Sequence, residues 1–132
     1  MSELDQPRPD DFAVLGREVR GPVNHLDTFA APPACTRVRF TSDELTSVCP
    51  ITGQPDFSTV EIDYQPNLRC IESKSLKLYL WSFRDSPVFC EQLAADIAAE
   101  VHRAAEPLHV RVTVTQHTRG GIVTEATAEL PS

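Results

Sequence analysis

The hydrophobic pattern of this chain changes period twice, and this order strongly limits the folds that the chain can form. Apolar residues alternate with polar ones in two stretches, as in half-buried strands: Val60, Ile62 and Tyr64 within residues 58–64, and Val110, Val112 and Val114 within residues 108–115. Between these stretches, apolar residues recur at helical spacing over residues 72–84 and again over residues 88–105. The pattern therefore predicts two helices that lie between strands in the sequence.

Two further strands complete the predicted set of elements. Residues 35–40 alternate small or apolar residues with charged ones, and residues 122–130 follow a turn at Gly120 and Gly121. Each strand then has a neighbour in the sequence with which it can pair antiparallel. The order ββααββ predicts an α+β domain in which a four-stranded antiparallel sheet carries two helices on one face.

The length of the chain, 132 residues, leaves room for a single domain. Residues 1–34 hold five of the eleven prolines and few periodic apolar positions, so we expect an irregular N-terminal leader followed by one domain over residues 35–132. A domain of this size buries only about two thirds of the surface of its unfolded chain. We therefore expect a homo-oligomer, in which other subunits cover apolar strand faces and edges.

The charge and the cysteines exclude several classes of function. A formal net charge of −7 argues against binding to a nucleic-acid backbone, which requires a concentrated basic face. The acidic N-terminus lacks the apolar core of a signal peptide, and no run of about 18 apolar residues follows, so we expect a cytoplasmic protein that binds no membrane. The four cysteines lack the spacing of a zinc site, and we expect no metal.

Residues 41–57 predict a long irregular loop, because they are rich in hydroxyl groups and contain two prolines and a glycine. Cys49 precedes Pro50, which favours an extended conformation at the cysteine. Asp56 follows in the same loop. A cysteine attacks as its thiolate, and a nearby carboxyl group can transfer a proton during the attack. The alternative is a buried structural cysteine beside an aspartate that only forms a local turn.

The segment 71–77 places one acidic and two basic residues at the start of the first helix. Glu72 and Ser73 are followed by Lys74 and Lys77, which lie three residues apart and share a helix face. Free N–H groups and the helix dipole attract anions to such a position, so a phosphate group can dock there. The alternative is a capped helix end that faces solvent.

Two further polar residues are candidates for ligand contacts. Arg119 precedes Gly120 and Gly121, in a turn where a ligand can approach the backbone closely; the alternative is an ordinary hairpin turn. Glu91, near the start of the second helix, can accept two hydrogen bonds from a guanine-like edge, although glutamates in a first turn commonly complement the helix dipole. From the residues alone, the chain is a small enzyme or a ligand-binding domain.

Three motifs together resemble the short form of the 7-cyano-7-deazaguanine reductase family, QueF. They are Cys-Pro-Ile-Thr-Gly-Gln-Pro-Asp-Phe at 49–57, Glu-Ser-Lys-Ser-Leu-Lys-Leu-Tyr at 72–79 with Trp-Ser-Phe-Arg at 81–84, and Thr-Arg-Gly-Gly at 118–121. The resemblance extends over residues 35–128. It implies a tunnelling fold, pentameric rings that can stack as decamers, and active sites between subunits.

The resemblance also implies a reaction and a role for each matching residue. The family reduces the nitrile of 7-cyano-7-deazaguanine to an aminomethyl group with two NADPH, a step of queuosine biosynthesis for transfer-RNA modification. Cys49 would form a thioimide with the nitrile carbon, and Asp56 would protonate the nitrogen. The implied substrate-binding residues are Ile71, Glu72, Ser73, Cys90 and Glu91. The implied NADPH-binding residues are Lys74, Lys77 and Arg119.

The chain departs from the family pattern at Cys90, where the family has a histidine directly before the glutamate of the second helix. A thiol is a poorer hydrogen-bond donor than an imidazole. This change leaves open a reductase that tolerates the thiol, an enzyme for another nitrile or deazapurine, and a deazaguanine-binding protein without catalysis. An amidinotransferase that passes the thioimide to ammonia or an amine is a further alternative, but such a protein has no use for Lys74 and Lys77.

Overall fold

The computed structural model describes residues 21–131, which form six strands and two helices. In chain order these are β1 (Thr28–Ala30), β2 (Val38–Val48), β3 (Pro55–Gln65), β4 (Arg69–Ile71), α1 (Ser73–Trp81), α2 (Cys90–Ala105), β5 (His109–Arg119) and β6 (Ile122–Leu130). A four-stranded antiparallel sheet has the strand order β2-β3-β5-β6, and β1 pairs with β4 in a second, two-stranded sheet. The predicted α+β class and the ββααββ order of the main sheet and helices are confirmed.

The hydrophobic core lies between one face of the main sheet and both helices. Alternate residues of β3 and β5 face the helices and are almost completely buried: Val60, Ile62, Tyr64, Val110, Val112 and Val114. The apolar stripe of α2 at Leu93, Ile97 and Val101 covers them. Burial of each such side chain stabilises the fold by about 1.5–3 kcal/mol. Neither α1 nor α2 has the length and hydrophobicity needed to cross a bilayer.

The predicted loop over residues 41–57 is wrong, because strands occupy most of it. β2 continues to Val48 and β3 begins at Pro55, so that Ser47 pairs with Asp56 and only the turn 49–54 lies outside the strands. A register shift after Ser42 turns Leu45 into the core, where it is completely buried. Cross-strand hydrogen bonds order this polar segment even though its side chains lack a regular alternation.

The domain extends further towards the N-terminus than the predicted leader over residues 1–34 suggests. Leu26 is buried in the core, and residues 28–30 of β1 pair with β4. The backbone N–H of Asp27 donates to Ser75 Oγ at 2.9 Å, which ties this segment to α1. The β1–β4 pairs and the bond to Ser75 join residues 39 to 48 positions apart, so local composition does not reveal them. Residues 1–20 of the predicted leader lie outside the described residues.

The hairpin between β5 and β6 has the predicted turn, but its first strand is longer than predicted. Gly120 and Gly121 have φ angles of 58° and 77°, which residues other than glycine rarely adopt. β5 runs past the predicted end at residue 115 to Arg119, with a register shift after Gln116. This extension carries Arg119 to the end of the sheet where the turn 49–54 lies.

Candidate active site

Cys49 lies at the tip of the β2–β3 hairpin in a turn that surrounds its sulfur with donors. Its backbone N–H donates to Gln54 O at 2.8 Å, and its carbonyl accepts from Gly53 N–H at 2.9 Å. The side chain and backbone of Thr52 hydrogen-bond the thiol, and Arg119 and the backbone of Ile51 add further hydrogen bonds. These contacts favour the thiolate and lower the pKa of Cys49 to about 6.

Asp56 is buried and forms an ion pair with Arg119. The carboxylate lies at the start of β3, is only 2% exposed, and accepts a hydrogen bond at Oδ1 from Arg119 Nη1. The same guanidinium hydrogen-bonds the Cys49 sulfur, which helps to raise the pKa of Arg119. Arg119 therefore connects the two residues that the sequence singles out for catalysis. Its role in binding NADPH phosphates stays a prediction.

The depressed pKa of Cys49 predicts an unusual pH dependence of its alkylation. Because the thiolate is the reacting form, the rate with iodoacetamide should rise with pH and reach half its maximum near pH 6. Burial raises the pKa of Cys70 and of Cys90, so these thiols should react only at higher pH and serve as internal controls. Peptide mass spectrometry measures each site separately.

The Arg119→Gln variant tests the cause of this shift. Loss of the guanidinium removes a donor to the thiolate, so the midpoint for Cys49 should move to higher pH while Cys70 and Cys90 keep theirs. A parent midpoint near 9, the ordinary value for a cysteine, would show that the turn does not activate this thiol.

Glu72 caps the helix α1 with its own side chain. Its Oε1 accepts from Lys74 N–H at 2.6 Å and its Oε2 from Ser75 N–H at 2.7 Å, and the residue is 5% exposed. Both amide N–H groups therefore have a partner within the chain. This is the capped helix end that the sequence analysis gave as the alternative to a phosphate site. An anion at this helix start would rely on the lysine side chains. Substrate binding by Glu72 stays a prediction.

A groove between α1 and the strands β2 and β3 has a volume of about 490 Å³. Ser73, Lys77 and Trp81 line it from the helix, and Phe40 and Thr46 are among its lining residues from β2. Lys77 is exposed and Lys74 is half-buried on the same helix. A basic side chain and a hydroxyl at the rim of a large groove fit the phosphate groups of a dinucleotide.

Cys90 and Glu91 point in different directions at the start of α2. The Cys90 thiol is buried and donates to Val114 O at 3.4 Å and more weakly to Thr124 O at 3.9 Å. Glu91 is exposed and can accept hydrogen bonds from a ligand. Ile71 is also buried, and its N–H donates to the Tyr64 hydroxyl at 2.9 Å. Contacts of Ile71, Cys90 and Glu91 with substrate stay predictions.

The sequence analysis missed Thr52, whose hydrogen bonds make the largest contribution to the lowered pKa of Cys49. Thr52 lies three residues after Cys49 and directly before Gly53, which has a φ angle of 74°. A hydroxyl residue before a glycine is typical of a turn, and this is the sequence signal that points to Thr52. Within residues 21–131, no three His, Cys, Asp or Glu side chains are grouped as metal ligands are.

Comparisons with known proteins identify the family of this chain. A sequence profile described as QueF-like protein matches residues 55–131. The NADPH-dependent 7-cyano-7-deazaguanine reductase of Alkalilimnicola ehrlichii is 51% identical over 86 residues, which are 65% of this chain and 67% of that protein. The enzyme of the same name from Thioalkalivibrio sulfidiphilus is 42% identical over 110 residues, 82% of this chain and 85% of that protein.

A solved structure shares the fold. The crystal structure of the archaeosine synthase QueF-Like in its apo form superposes with a TM-score of 0.68 at 31% identity and covers 71% of this chain and 92% of its own. The strand order and the position of the helices are therefore those of a QueF-like, tunnelling-fold protein. The motifs, the profile and the relatives lead to one conclusion: this chain belongs to the QueF family.

Proposed function

We propose that this protein reduces the nitrile of 7-cyano-7-deazaguanine to an aminomethyl group with NADPH, in the cytoplasm and as a step of queuosine biosynthesis. The observation that carries the proposal is the hairpin that places the Cys49 thiol and the Asp56 carboxylate at its tip, both in contact with Arg119. A polarised thiol beside a buried acid is what addition to a nitrile requires. Curated relatives that share this part of the chain are named as that reductase.

In the first step, the Cys49 sulfur forms a bond to the nitrile carbon. One π bond of the nitrile breaks and its electron pair goes to the nitrogen. The proton of the thiol passes to Asp56 and from Asp56 to that nitrogen, which leaves a covalent thioimide.

The groove beside α1 fits the cofactor. Lys77 and Ser73 at its rim, with Lys74 on the same helix, would hold the phosphate groups by charge and hydrogen bonds. NADPH, when bound, supplies the reducing equivalents, two molecules for the four electrons that a nitrile needs to become an amine. Cys49 holds the reacting carbon through the first reduction, and its sulfur must then leave as a thiolate to give an imine before the second reduction can yield the amine.

The substrate ring would be held by the acidic residues of the two helix starts. Glu91 is exposed, so both of its carboxylate oxygens are accessible to a guanine-like edge. Glu72 is the buried N-cap of α1, and the next residue, Ser73, lines the groove. The exposed carboxylate of Glu91 makes it the stronger candidate of the two glutamates.

We infer that subunits join into rings, pentameric and able to stack as decamers, with the sites at their interfaces. β2 and β6 are the edges of the main sheet among the described residues, so each presents backbone groups to a neighbour. Large apolar side chains next to the site residues are exposed: Ile51, Phe57, Phe89, Ile122 and Val123. Gel filtration with light scattering should give a multiple of five chains. A monomer would contradict the ring.

The experiment that tests the function is NADPH oxidation by the purified protein with 7-cyano-7-deazaguanine. We expect two NADPH consumed for each nitrile reduced and a product with the mass of the aminomethyl compound. Parallel reactions with ammonia and without NADPH distinguish the amidinotransferase alternative, since only that activity yields an amidine. Binding without either product would contradict the proposal and favour a deazaguanine-binding protein.

A further inference from the structure

Ser58 carries a buried hydroxyl that lacks a hydrogen-bond partner among residues 21–131. The residue is 1% exposed and lies in the middle of the ordered strand β3. A buried polar group without a partner destabilises a fold, whereas alanine at the same place would not. Such a group therefore indicates a partner that is not part of the free chain.

The position of Ser58 connects it to the candidate active site. Asp56, Ser58 and Val60 are alternate residues of β3 and share the face of the sheet that packs against the helices. Ser58 and Asp56 are thus one pleat apart, about 6–7 Å along the strand. A planar bicyclic compound spans that distance, so one ligand can reach both side chains.

The thiol of Cys90, at the start of α2, is not a hydrogen-bond partner of Ser58. The Cys90 thiol donates to Val114 O and Thr124 O, on the backbones of β5 and β6. Val114 pairs with Val60, and Gln116 pairs with Ser58, so the thiol lies over the adjacent strand. The hydroxyl of Ser58 therefore remains without a partner among residues 21–131, on the same face of β3 as Asp56.

We propose that Ser58 is a substrate-contacting residue, whose hydroxyl hydrogen-bonds a polar ring atom of the heteroaromatic nitrile while Cys49 and Asp56 act on the nitrile group. The inference rests on the proposed reductase function and deepens it. Asp56 and Ser58 are 2% and 1% exposed on the same face of β3, so a ligand that reaches the Asp56 carboxylate lies within one pleat of the Ser58 hydroxyl. The contact would contribute to the choice of a ring with a polar atom at that place.

The Ser58→Ala variant tests this role by a comparison of stability with binding. Without ligand, the loss of an unpaired hydroxyl should leave the Tm unchanged or raise it by a few degrees. In a Cys49→Ala background, which prevents covalent addition, the Kd for 7-cyano-7-deazaguanine measured by calorimetry should rise about tenfold. In the Cys49 protein, KM should rise while kcat stays within about threefold, because the contact is present before and after the attack.

Ser75→Ala provides the matched control for stability. Ser75 is also a completely buried serine, but its hydroxyl accepts from Asp27 N–H and donates to Glu72 O, both at 2.9 Å. Its replacement should lower the Tm, since both partners lose a hydrogen bond.

Three outcomes overturn the inference. If Ser58→Ala lowers the Tm as Ser75→Ala does, the hydroxyl has a partner within the free protein. If the parent turns over substrate and Ser58→Ala leaves Kd and KM unchanged, the proposed function stands and the Ser58 contact is wrong. If the parent neither binds nor reduces the nitrile, both fail together.

Discussion

The Cys49→Ala variant should lose NADPH oxidation with 7-cyano-7-deazaguanine, by about 10⁴-fold or more. The reaction then has no sulfur to form the thioimide, and the loss of a covalent nucleophile has effects of this size in enzymes that depend on one. The same assay that follows NADPH absorbance measures the loss. Mass spectrometry of the intact protein, quenched with substrate present, should show an adduct on the parent and none on the variant.

Cys35→Ala is the matched control for this loss. Cys35 is a half-buried thiol that donates a weak hydrogen bond to Arg37 O, at 3.9 Å, and lies beside the Cys70 thiol. Its replacement should leave kcat, KM and the adduct unchanged. Substantial turnover by Cys49→Ala, or an adduct that persists at another cysteine, would contradict a thioimide at Cys49.

The second large effect is expected for Asp56→Asn, which should lower kcat by about 10²–10⁴-fold. An amide has the shape of the carboxyl group but cannot donate an acidic proton to the nitrile nitrogen. The variant also removes the charge that Arg119 contacts. Because the Arg119 side chain is 41% exposed, the loss of stability should be smaller than for a fully buried pair. Thermal unfolding measures it.

Asp63→Asn separates the chemical effect from the effect on stability. Asp63 is a second aspartate of β3 and pairs with Arg37 and, at 3.6 Å, with Arg111. These arginines hold the pKa of Asp63 below its usual value, chiefly through the hydrogen bond from Arg37. Its replacement should lower the Tm and leave kcat unchanged. Equal losses of kcat in both variants would mean that Asp56 acts only through the stability of the fold.

The structural features that could be predicted from the sequence depend on residues that lie close together along the chain. Alternation over 58–64 and 108–115, helical spacing over 72–84 and 88–105, and the glycine pair at 120–121 are local properties, and the structure contains each of these elements. Side chains within one strand or helix share an environment, so their pattern records which face is buried. The family motifs are local in the same sense, and they identified Cys49 and Asp56 as candidates.

Contacts between distant residues were decided by the tertiary structure. The strands β2 and β3 extend through the predicted loop because backbone groups pair across the sheet, and such pairing is largely independent of side-chain type. The ion pair between Asp56 and Arg119 joins residues 63 positions apart, and it depends on the extension of β5 and on the hairpin turn. The orientation of Cys90 towards β5 and β6 and the unpaired hydroxyl of Ser58 arise from the packing of α2 on the sheet. The sequence by itself determined the elements and the reactive residue types, whereas only the packed sheet and helices determined which charges and hydroxyls meet, because those contacts depend on distances that no local pattern encodes.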